Sequence, residues 1–193
     1  MCGRYYIAAD DAEEELREII ESMNRRGDAG AKTSGDILPT DAAPVMAKNR
    51  RMENSVFAMK WGFTAANGGN VINARSETAA EKPMFRDGIV RRRCVIPASS
   101  YYEWEKCGAE KVKYAIRSRN ASVTYMAGLY RFEASGPVFT ILTRSPVGSI
   151  AFVHDRMPVL LPRELLNDWL NPQCPAQEVL DAIDPQVDFQ RAQ

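Results

Sequence analysis

The chain has 193 residues, 45% hydrophobic and 26% charged, and its 25 basic side chains balance its 25 acidic ones, so it is not basic overall and any affinity for nucleic acid must come from a local patch. That length suits one domain with an ample core, and no apolar run approaches the roughly 20 residues that span a membrane or resembles a signal peptide, since polar residues begin at Arg4. One histidine and four scattered cysteines without a CxxC pair (Cys2, Cys94, Cys107, Cys174) argue against a zinc site and for reduced thiols in a cytoplasmic protein. Arg4–Ala8 is short and aromatic, which predicts an opening strand. Asp10 with Glu13 three residues later forms a capping box, and Leu16, Ile19, Ile20 and Met23 continue it as the apolar stripe of a helix. Arg26 to Ser34 is Gly-rich and polar, hence a loop. Strand-like segments follow at Pro44–Ala47, Ser55–Trp61, Val71–Ala74, Cys94–Ile96, Val112–Arg117, Val123–Leu129 and Val138–Thr143, then helices at Arg163–Leu170 and Pro175–Ile183. The spacing predicts an α+β fold: a single domain over residues 1–193 with a curved, mostly antiparallel β core flanked by a few helices.

Walker, GxSxG, HExxH and GxGxxG signatures are absent. What carries chemistry instead is Cys2, directly behind Met1. Removal of Met1 would leave an amine and a thiol on one residue. An aldehyde condenses with such an amine to an imine, which the sulfur then attacks to close a five-membered thiazolidine. A free α-amine titrates near 7.7–8.0, so a usable neutral fraction exists at pH 7.

Three other segments offer polar groups. Asn73-Ala74-Arg75-Ser76-Glu77-Thr78 follows an apolar strand and leads into a helical stretch. Ser76 or Asn73 could cap that helix; alternatively Asn73 orients the Cys2 terminus and Arg75 grips an anion. In Tyr101-Tyr102-Glu103-Trp104-Glu105, period-two alternation sets Glu103 on the face opposite Tyr102 and Trp104. Glu103 then reads either as an exposed strand glutamate or as a partly desolvated carboxylate suited to acid–base work. His154-Asp155-Arg156-Met157-Pro158 holds the only histidine, a candidate proton donor beside a candidate phosphate ligand, Arg156. Between residues 75 and 93, Arg75, Lys82, Arg86, Arg91, Arg92 and Arg93 outnumber Glu77, Glu81 and Asp87.

In order along the chain stand Met1-Cys2-Gly3-Arg4-Tyr5, Pro39-Thr40, Trp61-Gly62-Phe63, Asn73 to Thr78, Phe85-Arg86, Arg93 to Ala98, Tyr102-Glu103-Trp104, Ala127-Gly128-Leu129-Tyr130 and His154 to Pro158. This set resembles the SRAP (SOS response-associated peptidase) family. The resemblance implies a barrel-like SRAP fold and a protein that senses abasic sites in single-stranded DNA. It implies capture of the ring-opened sugar aldehyde as a thiazolidine on Cys2 after self-removal of Met1, which is peptidase and lyase-type chemistry in the DNA damage response. It further implies Asn73 as the residue that positions the Cys2 amine, Glu103 as general acid–base, and His154 as an aid to sugar opening. Arg4, Arg75, Arg86 and Arg156 would hold phosphates, with Pro39, Thr40 and Trp104 shaping the site. The expected partner is single-stranded DNA, with no metal, cofactor or membrane; the protein would be a monomer, cytoplasmic, and nucleoid-associated when bound. Thr64 to Asn70 is a short Gly/Asn loop where many relatives are longer.

Two other readings compete. N-terminal-cysteine amidotransferases also begin Met-Cys-Gly, with the cysteine attacking a carboxamide, but Arg4 stands where an aliphatic residue is usual. A non-covalent single-strand-binding module would use the same arginines and aromatics and leave Cys2 idle.

Overall fold

A computed structural model describes residues 2–8, 14–28 and 30–192. Strand β1 (Tyr5–Ile7) is followed by helix α1 (Glu14–Asn24), β2 (Gly35–Ile37) and the hairpin of β3 (Ala42–Lys48) and β4 (Asn54–Trp61). Three short strands come next, β5 (Phe63–Thr64), β6 (Asn70–Val71) and β7 (Asn73–Arg75), and then helix α2 (Arg86–Arg91). Most of the core is built by β8 (Arg93–Ala98), β9 (Ser100–Cys107), β10 (Glu110–Ser118), β11 (Thr124–Glu133) and β12 (Gly136–Arg144). After them stand β13 (Met157–Pro158), β14 (Leu160–Leu161), α3 (Leu166–Leu170), α4 (Ala176–Asp181) and β15 (Val187–Arg191).

β12 pairs with both β11 and β4, and β3 and β8 complete the circuit, so five strands close into a barrel. Closure leaves these strands no free edge. Every pair in the ring is antiparallel except β12 with β4, and β7 adds to β12 in parallel beyond it. The barrel is filled by side chains such as Val45, Ile96, Met126 and Ile141, all fully buried. Gly128 belongs to this close packing: a Cβ there would lie 2.5 Å from Ile96 Cδ1 and 2.8 Å from the Thr140 carbonyl.

The second sheet runs β15-β10-β9-β1-β2, antiparallel throughout, and its buried face shares one apolar core with the barrel. β9 and β10 are joined by the two-residue turn Gly108-Ala109, with Gly108 at φ 64° as the first position of such a turn requires. Helix α1 lies on β3 and β4 through Leu16 and Met23, with Ile19 and Ile20 half-buried beside them, as its stripe predicts. The capping box at Asp10 and Glu13 lies outside the described residues. Among the described residues no helix is long and apolar enough to cross a membrane.

The α+β expectation holds, and most expected strands fall within the observed ones. Val71–Ala74 is divided between β6 and β7, because Ile72 turns its carbonyl to Trp61 Nε1 (3.0 Å) and to the Ile141 amide (3.0 Å). β2 and β15 are unanticipated. Both are edge strands that bury one residue each, Ile37 and Val187, too little apolar pattern to register.

Candidate active site

Three stretches far apart in sequence converge around Cys2. β1 and β9 are hydrogen-bonded neighbours, with Tyr5 opposite Tyr101, so the segment preceding β1 runs beside Glu103. Tyr102 N–H reaches back to the Arg4 carbonyl (2.9 Å), which fixes that alignment. β7 arrives from the barrel, and Asn73 Nδ2 donates to the Cys2 carbonyl at 2.9 Å. Asn73 is therefore not a helix cap. Nor is Ser76, whose hydroxyl donates to the Thr143 carbonyl (3.1 Å), and the turn at Ser76–Thr78 has no side-chain cap.

Cys2 is fully buried, its thiol directed at the Arg4 carbonyl (3.8 Å). Burial and the nearby Glu103 carboxylate push the thiol pKa far up, so it stays protonated at neutral pH. Glu103 is only 4% exposed, which excludes the exposed-strand reading. Alternation places it on the inner face with Tyr101, while Tyr102 and Trp104 point the other way. Its desolvation comes from this inner packing rather than from the flanking aromatics. Burial raises its pKa, and a hydrogen bond from the Trp104 amide partly opposes the rise.

Two residues to which the sequence motifs assign no role belong to this cluster. The hydroxyls of Tyr5 and Tyr101 are buried near Cys2 and have no hydrogen-bond partner among the described residues. A phenol in a β-rich aromatic run reads as core from sequence, so only the register reveals them.

Beside the cluster opens a cleft of about 590 Å³ whose lining includes Arg75, Trp104, Lys106, Phe152, His154 and Arg156. Arg4 closes one side. Its guanidinium lies 5.5 Å from the Trp104 ring and donates to Asp36 Oδ2 at 3.2 Å. Arg75 is exposed on the wall. His154 Nδ1 accepts the Arg156 amide (3.0 Å), and Asp155 Oδ1 stands 2.7 Å from the same nitrogen, so Asp155 pairs with the ring once it is protonated.

Arg156 is more committed than its sequence suggests. Nη1 and Nη2 grip both oxygens of Glu77 at 2.7 Å, and Nη2 also donates to the Thr143 carbonyl at 2.6 Å. The fork pulls the Glu77 pKa down to about 2 and ties the His154 loop to the turn after β7. Arg86 is exposed at the start of α2. Arg93 is buried and donates to the Asn171 and Cys174 carbonyls (the latter at 2.8 Å) over the face of Trp169. It belongs to the structure rather than to the basic patch.

Pro39 and Thr40 form the turn between β2 and β3, closed by the Asp41 amide on the Leu38 carbonyl (3.0 Å). Thr40 sits at φ 79°, where a β-branched residue is strained by about 1–3 kcal/mol. The Thr40 amide holds it there by bonding the Trp61 carbonyl (2.9 Å), and Trp61 packs against Tyr5 at 5.2 Å. Gly62 takes φ 118°, and a Cβ on it would meet the Asn70 side chain at 1.7 Å. The Trp61-Gly62 step thus holds the short loop from Thr64 to Asn70 in place. Among the described residues no group of three or more His, Cys, Asp or Glu could hold a metal ion.

Residues 1–191 match the SOS response associated peptidase (SRAP) family. The chain belongs to the SRAP family. Among its relatives are the Bacillus subtilis abasic site processing protein YoaM, 31% identical with 95% of this chain and 85% of the relative covered, and the Escherichia coli abasic site processing protein YedK, 26% identical with 92% and 83% covered. The same SRAP fold recurs in a crystal structure of a Bacteroides thetaiotaomicron protein, with TM-score 0.82, 22% identity, and 100% of this chain and 92% of that one covered.

Proposed function

We propose that this SRAP protein senses abasic sites in single-stranded DNA and bonds to them covalently through Cys2 once Met1 has been removed. The observation that carries the reading is the convergence of Cys2, Asn73 and Glu103 in one buried cluster beside a cationic, aromatic cleft. Naming of the relatives as abasic site processing proteins supports the substrate class.

In the reaction, the Cys2 amine adds to the aldehyde of the ring-opened sugar. The resulting carbinolamine loses water, with Glu103 supplying the proton that lets hydroxide leave. The Cys2 sulfur then attacks the imine carbon while its proton returns through Glu103 to the nitrogen. Overall an aldehyde and an aminothiol give a thiazolidine and one water. A raised pKa suits Glu103 for both steps, because burial favours the protonated form from which it donates. Asn73 anchors the Cys2 main chain so that amine and thiol face the same carbon. His154 protonates the sugar oxygen as the ring opens.

Around this chemistry, Arg4, Arg75 and Arg86 hold phosphates, and Trp104, Pro39 and Thr40 border the bare sugar. Arg156 adds positive charge while bracing the His154 loop against Glu77. An abasic site has no base to extrude, so a narrow site can admit its sugar directly. The same acid–base pair, Glu103 with Cys2, serves self-removal of Met1.

Incubation with an oligonucleotide carrying one abasic site tests the reading. A denaturing gel is expected to show a shifted band for the protein and none for Cys2→Ala, which still binds DNA. An adduct formed equally by Cys2→Ala would refute Cys2 as the nucleophile.

A further inference from the structure

A second groove, of about 820 Å³, opens on a different part of the molecule and shares no lining residue with the Cys2 cleft. It runs between the tip of the β3–β4 hairpin, the end of α1 and the outer face of β11. Its floor is aromatic. Phe57, Tyr130 and Phe132 line it, with Tyr130 and Phe132 edge-to-face at 5.9 Å. Phe132 is 70% exposed, far more than a ring of that size is when its role is packing. Its rim is cationic: Arg26, Lys48, Arg50 and Arg51 face a single carboxylate, Glu53, in a chain whose overall charge is zero.

The groove is preformed. Arg26 lies over the Phe57 ring at 4.9 Å and is steadied by donating to Ser55 Oγ at 3.0 Å. Asn49 organises the hairpin tip: its Oδ1 accepts the Arg51 and Glu53 amides (2.8 and 3.0 Å), and its Nδ2 donates to Glu53 Oε2 (2.9 Å). That network turns Glu53 inward onto Asn49 and leaves Arg50 and Arg51 exposed. Rings that any base can stack on, bordered by guanidinium groups spaced along a track, are the features that bind single strands without regard to sequence. An acidic peptide would use the cations but not the exposed rings; a single strand uses both.

We infer that this groove is a second nucleic-acid site, which holds undamaged single-stranded DNA by stacking on Phe132 and Tyr130 and by pairing phosphates with Arg50 and Arg51. It goes beyond capture of the lesion. A strand held here raises the local concentration of DNA around the protein while the Cys2 cleft stays free to inspect sugars.

The test is anisotropy of a labelled oligothymidine, which has no aldehyde, across a salt series. Arg75→Ala serves as the background, to weaken the contribution of the cleft. Arg50→Gln/Arg51→Gln is expected to lower affinity at least tenfold and to make the salt slope shallower by about 1.4, because two phosphates of the single strand are no longer neutralised. Phe132→Ala is expected to lower affinity with the slope unchanged, and Arg50→Lys/Arg51→Lys to retain most binding. Made in the wild-type chain, without the Arg75 change, all three are expected to crosslink a short abasic oligonucleotide at the wild-type rate, which separates this site from Cys2 chemistry. Unchanged affinity and slope in the glutamine pair, or an equal loss in the lysine pair, would overturn the inference. Failure of the parent protein to crosslink would overturn the proposed function and leave this measurement intact.

Discussion

Arg93 and Glu103 are withdrawn from water to the same degree, each 4% exposed, yet the fold treats the two charges in opposite ways. Arg93 sends its guanidinium to the Asn171 and Cys174 carbonyls and lies over Trp169, so partners that cannot react surround the charge. Burial lowers its pKa, but from a value so high that it stays ionised. Glu103 is instead buried in the Cys2 cluster, where burial raises its pKa against the opposing hydrogen bond from the Trp104 amide. A buried charge with committed carbonyl acceptors holds the α3 region to the barrel. A carboxyl buried among titratable neighbours has the environment of a proton carrier, and that environment costs stability that the rest of the core must supply.

The contrast makes Glu103→Gln the most informative substitution. Crosslinking is expected to slow by about 10²–10⁴-fold, the usual contribution of a general acid–base group. Stability should not fall. Because the folded state holds the Glu103 proton more tightly than the unfolded chain, this group costs stability as pH rises through its folded pKa. The glutamine removes that cost, so a thermal melt above neutral pH is expected to shift upward relative to the parent. A loss of both rate and melting temperature would make Glu103 another Arg93.

Arg93→Leu should do the reverse. It leaves two carbonyls without their charged donor, at a cost of about 3 kcal/mol, and for a chain of this length the melting temperature drops by about 6–12 °C. The crosslinking rate of the folded fraction is expected to be unchanged. A slowed reaction in fully folded protein would link the two regions.

Asn73→Ala tests positioning. The Cys2 carbonyl loses its 2.9 Å tether, and a tenfold to hundredfold fall in rate is expected with DNA affinity retained. Equal loss of affinity would move Asn73 from the reacting terminus to the DNA path.

The smallest effect belongs to Glu77→Gln. The fork to Arg156 holds the Glu77 carboxyl near 2, below its unfolded value of about 4.3, so its stabilisation is present above the unfolded value and is lost as pH falls towards 2. Glu77 is solvent-exposed, so about 0.5–1 kcal/mol is expected at pH 7, seen as a drop of roughly 1–4 °C in the melt. Below pH 2 the variant and parent melts should converge; a difference that persisted there would point to packing instead of charge.

Much of the site was legible because its residues break the rules of core sequence. Cys2 behind Met1, a carboxylate inside an aromatic strand, and His-Asp-Arg before Met157 and Pro158 have no simple packing role. Alternation also placed Glu103 opposite Tyr102 and Trp104. What alternation could not tell is which face is inside, since Tyr102 and Trp104 are the more apolar pair by composition. Pairing with β1 decides it, and that contact spans nearly the whole first half of the chain. The arginines were harder still. Arg75, Arg86, Arg93 and Arg156 look alike in sequence, but their partners (solvent, solvent, two carbonyls and Glu77) are set by elements distant along the chain. Strand spacing alone foreshadowed only a curved sheet, and the barrel came from the family resemblance, because its closing pair, β12 with β4, is parallel and leaves no turn to read.

Intact mass of the protein after incubation with an abasic oligonucleotide, without any reductant, bears most directly on covalent capture by Cys2. One species is expected: the chain beginning at Cys2, plus the oligonucleotide, less one water, with the bond at Cys2 on digestion. An adduct that retained Met1, or that mapped to another residue, would contradict it.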